Sequence, residues 1–118
     1  MMNPKELMEL AVKALDSKKA QDIEVLELID VSNIGDYFVI ATATSSTAIK
    51  ALADAVEKKT SEAGVSPRHI EGYNSAIWIL LDYGDIVVHI FNKESRGFYS
   101  LERLWADAKR YDISHIIV

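Results

Sequence analysis

The chain has 118 residues, 49% of them hydrophobic, which predicts a single domain with a conventional core. It contains no cysteine, so a disulfide framework, a thiolate metal site and a thiol nucleophile are excluded. The net charge of −5 comes from 18 acidic and 13 basic residues, and the sequence has no cluster of cations. Extended contact with nucleic acid is therefore not expected. A basic protein is the better-matched partner.

The first predicted helix begins at Asn3-Pro4-Lys5-Glu6. Asn3 can cap this helix, Pro4 suits its first position, and Glu6 stands where a capping-box acid would. Apolar residues then recur at helical spacing and predict one buried stripe, formed by Leu7, Leu10, Ala11, Ala14 and Leu15.

Two strands follow the first helix. Residues Ile23 to Ile29 alternate loosely between apolar and polar, and Asn33-Ile34-Gly35 interrupts the pattern. The nearly unbroken apolar run from Tyr37 to Ala41 then predicts a central strand.

A second amphipathic helix comes next. Ser45 or Ser46 can cap its start, and Gly64 ends it. Its predicted buried positions are Ile49, Leu52, Ala53 and Val56. A third strand is predicted around Arg68 to Gly72.

The segment from Trp78 to Phe91 predicts a β-hairpin with two different faces. Taking Tyr83 and Gly84 as the central turn residues sets the register. The predicted pairs are Asp82 with Asp85, Leu80 with Val87 and Trp78 with His89. One face is aliphatic, with Ile77, Ile79, Leu81, Ile86, Val88 and Ile90. The other looks like a binding surface, with Trp78, Leu80, Asp82, Asp85, Val87, His89 and Phe91.

The C-terminal part is predicted to contain a polar loop, a short helix and a tail. Asn92 to Gly97 is the loop, and the helix runs from about Phe98 to Ala108. Its apolar side carries Leu101, Leu104 and Trp105. Residues 109–118 form an apolar tail that includes Ile113, Ile116, Ile117 and Val118.

These elements predict an α/β fold of α+β-like character, a mixed sheet of about five strands with two long helices on one face. Residues 1–118 form one domain. The other sheet face would expose Trp78, Leu80, Val87 and Phe91, so we expect it either to bind a partner or to be covered by the last helix and tail. Without a leader-like N-terminus or a membrane-length apolar run, the expected location is the cytoplasm.

Several ordered motifs resemble the ribosomal silencing factor family, also called the Iojap-like or YbeB family. The resemblance runs from about Leu7 to Asp107 and leaves the tail, 109–118, outside. Ala43 departs from the glycine that the family often has between the two threonines, which bears on the backbone of that turn. The motifs are Asp36 to Thr42, Glu71-Gly72, the Trp78 to Phe91 hairpin, and Arg96, Tyr99, Leu101, Glu102, Leu104 and Trp105.

The resemblance implies a mixed α/β fold with nucleotidyltransferase-like topology. It also implies binding to the large ribosomal subunit through ribosomal protein fourteen at the subunit interface. Such binding would sterically hinder subunit joining and repress translation under nutrient limitation. Family members are commonly homodimers when free, and the resemblance implies no enzymatic activity, cofactor or metal.

The expected partner contact combines the resemblance with the face assignment. It is centred on Trp78, the best anchor on the face opposite the aliphatic set. Leu80, Val87, His89 and Phe91 are expected around it, and Asp82, Asp85, Arg96 and Glu102 at its rim. Arg96 and Glu102 could equally form a structural ion pair with each other.

The alternative function is a metal-dependent nucleotidyltransferase or a nucleotide-binding relic. Asp82 and Asp85 could hold magnesium, and Thr44-Ser45 before a helix could hold a phosphate. That enzyme class needs carboxylates on neighbouring strand positions beside a glycine-serine turn, a pattern this chain lacks. Turn formation by the aspartates and helix capping by Ser45 are the simpler interpretations. The three histidines, His69, His89 and His115, do not have the spacing of a helical zinc pair.

Overall fold

The computed structural model describes residues 2–28, 35–99 and 108–117, and the side chains of all of these except 97–99. Within those ranges the elements follow the order α1 (Pro4–Ser17), β1 (Gln21–Glu27), β2 (Tyr37–Ala43), α2 (Ser46–Glu62), β3 (His69–Glu71), β4 (Trp78–Asp82), β5 (Ile86–Asn92), α3 (Lys93–Tyr99) and β6 (Lys109–Arg110). The predicted mixed α/β class is confirmed. The described sheet has six strands rather than five, because Lys109–Arg110 pairs with β1.

The strand order across the sheet is β3-β4-β5-β2-β1-β6. Strands β2 and β5 are parallel, and the other neighbouring pairs are antiparallel. All seven residues of β2 are buried, which confirms the prediction of a central strand.

The helix ends follow the capping chemistry predicted from sequence. The side chain of Asn3 accepts a hydrogen bond of 2.8 Å from the backbone N–H of Glu6, and Ser45 Oγ accepts one of 3.1 Å from Ala48. Gly64 adopts φ +85° just after α2. None of the described helices combines the length and apolar character that crossing a bilayer requires.

The sheet separates two hydrophobic clusters. The helix-side core joins the buried stripes of α1 and α2 to odd-numbered residues of β2 and β4 and even-numbered residues of β5, including Val39, Ile79, Leu81, Val88 and Ile90. The second face carries the other cluster, formed by Leu26, Leu28, Phe38, Ile40, Val87 and Phe91, with Trp78, Leu80 and Ala108 partly buried against it.

The hairpin register differs from the prediction. Asp82 pairs with Val87, and the Tyr83 N–H donates to the Ile86 carbonyl at 2.9 Å, so the two loop residues are Gly84 and Asp85. Gly84 takes φ +86°, because a type II′ loop needs a positive φ at its first central position. Since the register moved by two residues, every side chain kept its predicted face.

Three other expectations need correction. Ile77 is 49% exposed and belongs to neither cluster. Asn92 to Gly97 is not a loop, because Asn92 Oδ1 accepts a 2.7 Å hydrogen bond from the Ser95 N–H and caps α3. The described part of the tail does not cover the second face, since Ile113 and Ile116 pack into the helix-side core. The predicted positions of Leu101, Leu104 and Trp105 lie outside the described residues, as does the interruption at residues 33–34.

Candidate partner-binding site

The β4–β5 hairpin brings six of the predicted site residues together on the second face. The cross-strand pairs on this face are Trp78 with Phe91, Leu80 with His89, and Asp82 with Val87. Asp85 is exposed in the turn that joins the two strands. Because alternate residues of a strand point to one side, the face was predictable from the sequence even though the register was not.

Trp78 is held in a fixed position by two neighbours. Its ring stacks on that of Phe91, with centroids 4.9 Å apart and planes at 26°. Its indole N–H donates a hydrogen bond of 3.1 Å to Nδ1 of His89. The Phe38 ring lies 4.7 Å from the His89 ring and extends the aromatic layer across β2. The side chain that could anchor a partner is therefore pre-positioned, which lowers the entropic cost of binding.

His89 is a buried, neutral histidine. Its exposed fraction is 3%, and desolvation lowers its pKa from 6.5 to about 4. Because Nδ1 accepts from Trp78, the neutral ring carries its proton on Nε2. That N–H is buried and has no hydrogen-bond partner among the described residues.

The second face is less open than the sequence suggested. Val87 and Phe91 are 5% and 1% exposed, and His89 is similarly buried, so these three residues of the expected contact are covered within the chain. Trp78, Leu80 and Asp82 are only partly buried. The exposed portion of the site is therefore Trp78, Leu80 and the turn aspartates, supported from below by the buried residues.

A shallow, mostly apolar groove of about 270 Å³ lies beside Trp78 and Leu80, with Glu71 and Gly72 as its other wall. Glu71 reaches this position because β3 pairs it with Leu80. A Cβ on Gly72 would lie 2.2 Å from the Trp78 carbonyl oxygen, so only glycine permits the close approach of these two strands. Neither residue was predicted as a site residue, since the β3–β4 register that places them could not be determined from the sequence.

Arg96 is part of a hydrogen-bond network on the second face. Its guanidinium donates to Thr42 Oγ1 at 2.8 Å, to Glu24 Oε2 at 3.2 Å and to the Asp22 carbonyl. The other Glu24 oxygen accepts from Arg110 at 3.0 Å. Arg96 thus connects α3 to β1 and β2, a structural role. Glu102, its predicted neighbour, lies outside the described residues.

The residues proposed for the alternative nucleotidyltransferase site have local structural roles. Asp82 Oδ1 accepts a 2.8 Å hydrogen bond from the Gly84 N–H, which confirms the turn interpretation for this aspartate. Ser45 caps α2, and Thr44 beside it is exposed. The described residues contain no group of three or more histidines, aspartates and glutamates placed to hold a metal ion.

Comparisons with known proteins identify the family of the chain and solved structures with the same fold. A family model described as "Ribosomal silencing factor during starvation" matches residues 1–117. The chain is 40% identical to a ribosomal silencing factor of Halalkalibacterium halodurans, over 98% of this chain and 99% of the relative, and 38% identical to that of Bacillus subtilis over 95% of each. A crystal structure of a Chromobacterium violaceum protein, 37% identical, superposes with a TM-score of 0.87 over 89% of this chain and 88% of that one.

Proposed function

The chain belongs to the ribosomal silencing factor family of ribosome-associated translation regulators, and from this membership we propose that it binds the large ribosomal subunit through ribosomal protein fourteen. Bound there, at the surface that meets the small subunit, the protein sterically blocks subunit joining. It thereby represses translation under nutrient limitation. The free protein is a cytoplasmic homodimer in this proposal.

The single observation that carries the proposed contact is the environment of Trp78. This side chain is partly buried, is fixed by Phe91 and His89, and borders an apolar groove. Rigid, partly exposed tryptophans next to a concavity are typical anchors of protein interfaces. His89 and Phe91 contribute by supporting the indole rather than by touching the partner, and Val87 lies buried in the same cluster.

Charge favours a basic partner at the same place. Asp82 and Asp85 lie at the hairpin turn and Glu71 at the groove, within a protein of net charge −5. Ribosomal proteins that contact RNA need an excess of cations to neutralise phosphates. Complementary charge then accelerates association and restricts orientation, while the apolar anchor determines how long the complex lasts.

The test compares Trp78→Ala with Ile77→Ala in binding to isolated large ribosomal subunits. Ile77 is the preceding residue, is exposed and belongs to neither cluster, so Ile77→Ala is the matched control. Loss of a tryptophan anchor should weaken binding at least about thirtyfold, whereas Ile77→Ala and Asp85→Asn should have small effects.

The same variants should give different results in a subunit-joining assay that is analysed by sucrose-gradient sedimentation. The parent and Ile77→Ala should reduce the amount of joined ribosomes, and Trp78→Ala should not. Parent-like binding by a folded Trp78→Ala variant would move the contact away from the hairpin.

A further inference from the structure

A depression lies between the C-terminal halves of α1 and α2, on the side of the sheet opposite Trp78. Its volume is about 320 Å³. Lys18 borders it from the end of α1, and Lys58 and Lys59 from α2. Ala14 and Ala55 line it with short side chains that leave the space open.

Helix packing creates this cationic cluster. No cluster of lysines and arginines is visible in the sequence, because Lys18 and the Lys58-Lys59 pair lie about forty residues apart and contribute only short basic runs. Contact between α1 and α2 brings them to one depression. The chain therefore contains a local positive site despite its overall charge of −5.

The positive charge exceeds what the helix ends require. Lysines near helix C-termini offset a partial charge of about −0.5 at each end. Glu62 is the one carboxylate among the residues that line the depression. The two helix ends and the Glu62 carboxylate together carry about two negative charges, so the positive charge of about one ammonium group is not offset. None of the three lysines forms an ion pair within the described ranges of the chain.

We propose that this depression binds a compact phosphate anion, the diphosphate group of a small phosphorylated molecule. Ammonium groups are point-charge donors that suit phosphate oxygens from several directions. The Ser17 hydroxyl donates to the Ala14 carbonyl, so it is already engaged and recognition is by the lysines. The volume is at the lower end of small-molecule sites, which fits a diphosphate better than an entire nucleotide.

The form of the cluster distinguishes a small anion from RNA. RNA binding without sequence preference uses cations distributed along a track that follows the backbone. Here three lysines border one depression, and the rest of the surface has excess negative charge that repels a long polyanion. The site is on the opposite side of the sheet from the proposed ribosome contact, so it is independent of that proposal.

The test measures binding of inorganic pyrophosphate by titration calorimetry to the full chain and two double variants. Lys58→Gln/Lys59→Gln removes two cations from the depression. Lys5→Gln/Lys50→Gln removes two from elsewhere on the helix layer and is matched in charge change. The dissociation constant should rise about tenfold or more in the first variant, since hydrogen bonds to charged groups contribute strongly, and should stay within about twofold of the parent in the second.

Sulfate at equal ionic strength controls for general anion effects, because both anions stabilise folded proteins by exclusion from their surface. Circular dichroism shows whether each variant is folded, and Lys18→Gln repeats the test if the double variant is not. Three results overturn the proposal. One is an equal loss of pyrophosphate binding in the two double variants. Another is no binding to the parent at about 10 mM pyrophosphate, a concentration at which even millimolar affinity would be seen. The third is tighter binding of a short single-stranded RNA that depends on the same lysines.

Discussion

Trp78 and His89 form a diagonal pair across the hairpin, joined by a hydrogen bond of 3.1 Å from the indole N–H to Nδ1 of the imidazole. Their direct cross-strand partners are Phe91 and Leu80. Long side chains reach diagonal neighbours in an antiparallel pair. The bond requires a neutral histidine, because a protonated ring has no acceptor nitrogen.

This pair predicts that acid destabilises the fold through His89. The pKa of His89 is about 4 in the folded chain, below the ordinary value of 6.5. Its contribution to stability is therefore complete above about pH 6.5 and is lost as the pH falls towards about 4. The difference corresponds to about 3 kcal/mol.

Urea unfolding at several pH values measures this effect. His89→Gln should remove that part of the pH dependence, because glutamine does not titrate and can still accept from Trp78. His69→Gln, at an exposed position, is the control and should keep the parental dependence. An unchanged pH profile in a folded His89→Gln variant would show that other groups cause the acid sensitivity.

Two isoleucines two positions apart should respond very differently to truncation. Ile79 is fully buried in the helix-side core, whereas Ile77 is 49% exposed. Ile79→Ala should lower the free energy of unfolding by about 2 to 5 kcal/mol through loss of packing and cavity formation. Ile77→Ala should change it by less than about 0.5 kcal/mol. Chemical denaturation of both variants checks this difference in burial, which equal effects would contradict.

Glu24 binds two arginines that should differ in their contribution to stability. The side chain of Arg96 is 13% exposed and that of Arg110 is 67% exposed. Arg96→Ala should cost about 1 to 3 kcal/mol, because it leaves Thr42 and Glu24 without a buried donor. Arg110→Ala should cost less than about 1 kcal/mol, as exposed ion pairs do. Thermal unfolding measures both variants. A larger loss of stability in Arg110→Ala than in Arg96→Ala would show that Arg96 is not the main link between α3 and strands β1 and β2.

Replacing two glycines by alanine should distinguish the cost of backbone strain from the cost of a steric clash. Gly64 and Gly72 both have positive φ, +85° and +78°, but no atom lies within 4 Å of a Cβ built on Gly64. Gly64→Ala should cost about 1 to 2 kcal/mol. Gly72→Ala should cost about 1 to 3 kcal/mol more, since the strands must separate. Trp78 fluorescence should also change in Gly72→Ala alone, and equal stabilities would refute the predicted clash.

The sequence was most informative where a pattern repeats at short range. Alternation along β4 and β5 predicted the faces of Trp78 and Ile79, and the caps Asn3 and Ser45 were recognisable because each acts within three residues. The hairpin register was wrong because Tyr83-Gly84 and Gly84-Asp85 are both acceptable two-residue turns. Only pairing with the rest of the sheet distinguishes them.

Long-range arrangement was the part that sequence reasoning missed. The groove wall at Glu71 depends on pairing between β3 and β4, and the cluster at Lys18 and Lys58 depends on contact between two helices. The buried state of Phe91 likewise depends on the tertiary structure, not on its own strand. None of these arrangements has a local signal in the chain.

The parallel pairing of β2 with β5 has a consequence for how the protein is synthesised. Tyr37 pairs with Ile86, so about fifty further residues must be synthesised after β2 before β5, its second neighbour, is available. Contacts between residues so far apart in the sequence slow folding. During that interval β1 can pair with β2 on one edge, but the other edge of a strand that is apolar on both sides stays open. A nascent chain that stalls before β5 therefore presents an aggregation-prone edge, and chaperone dependence should be greatest for chains truncated between α2 and β5.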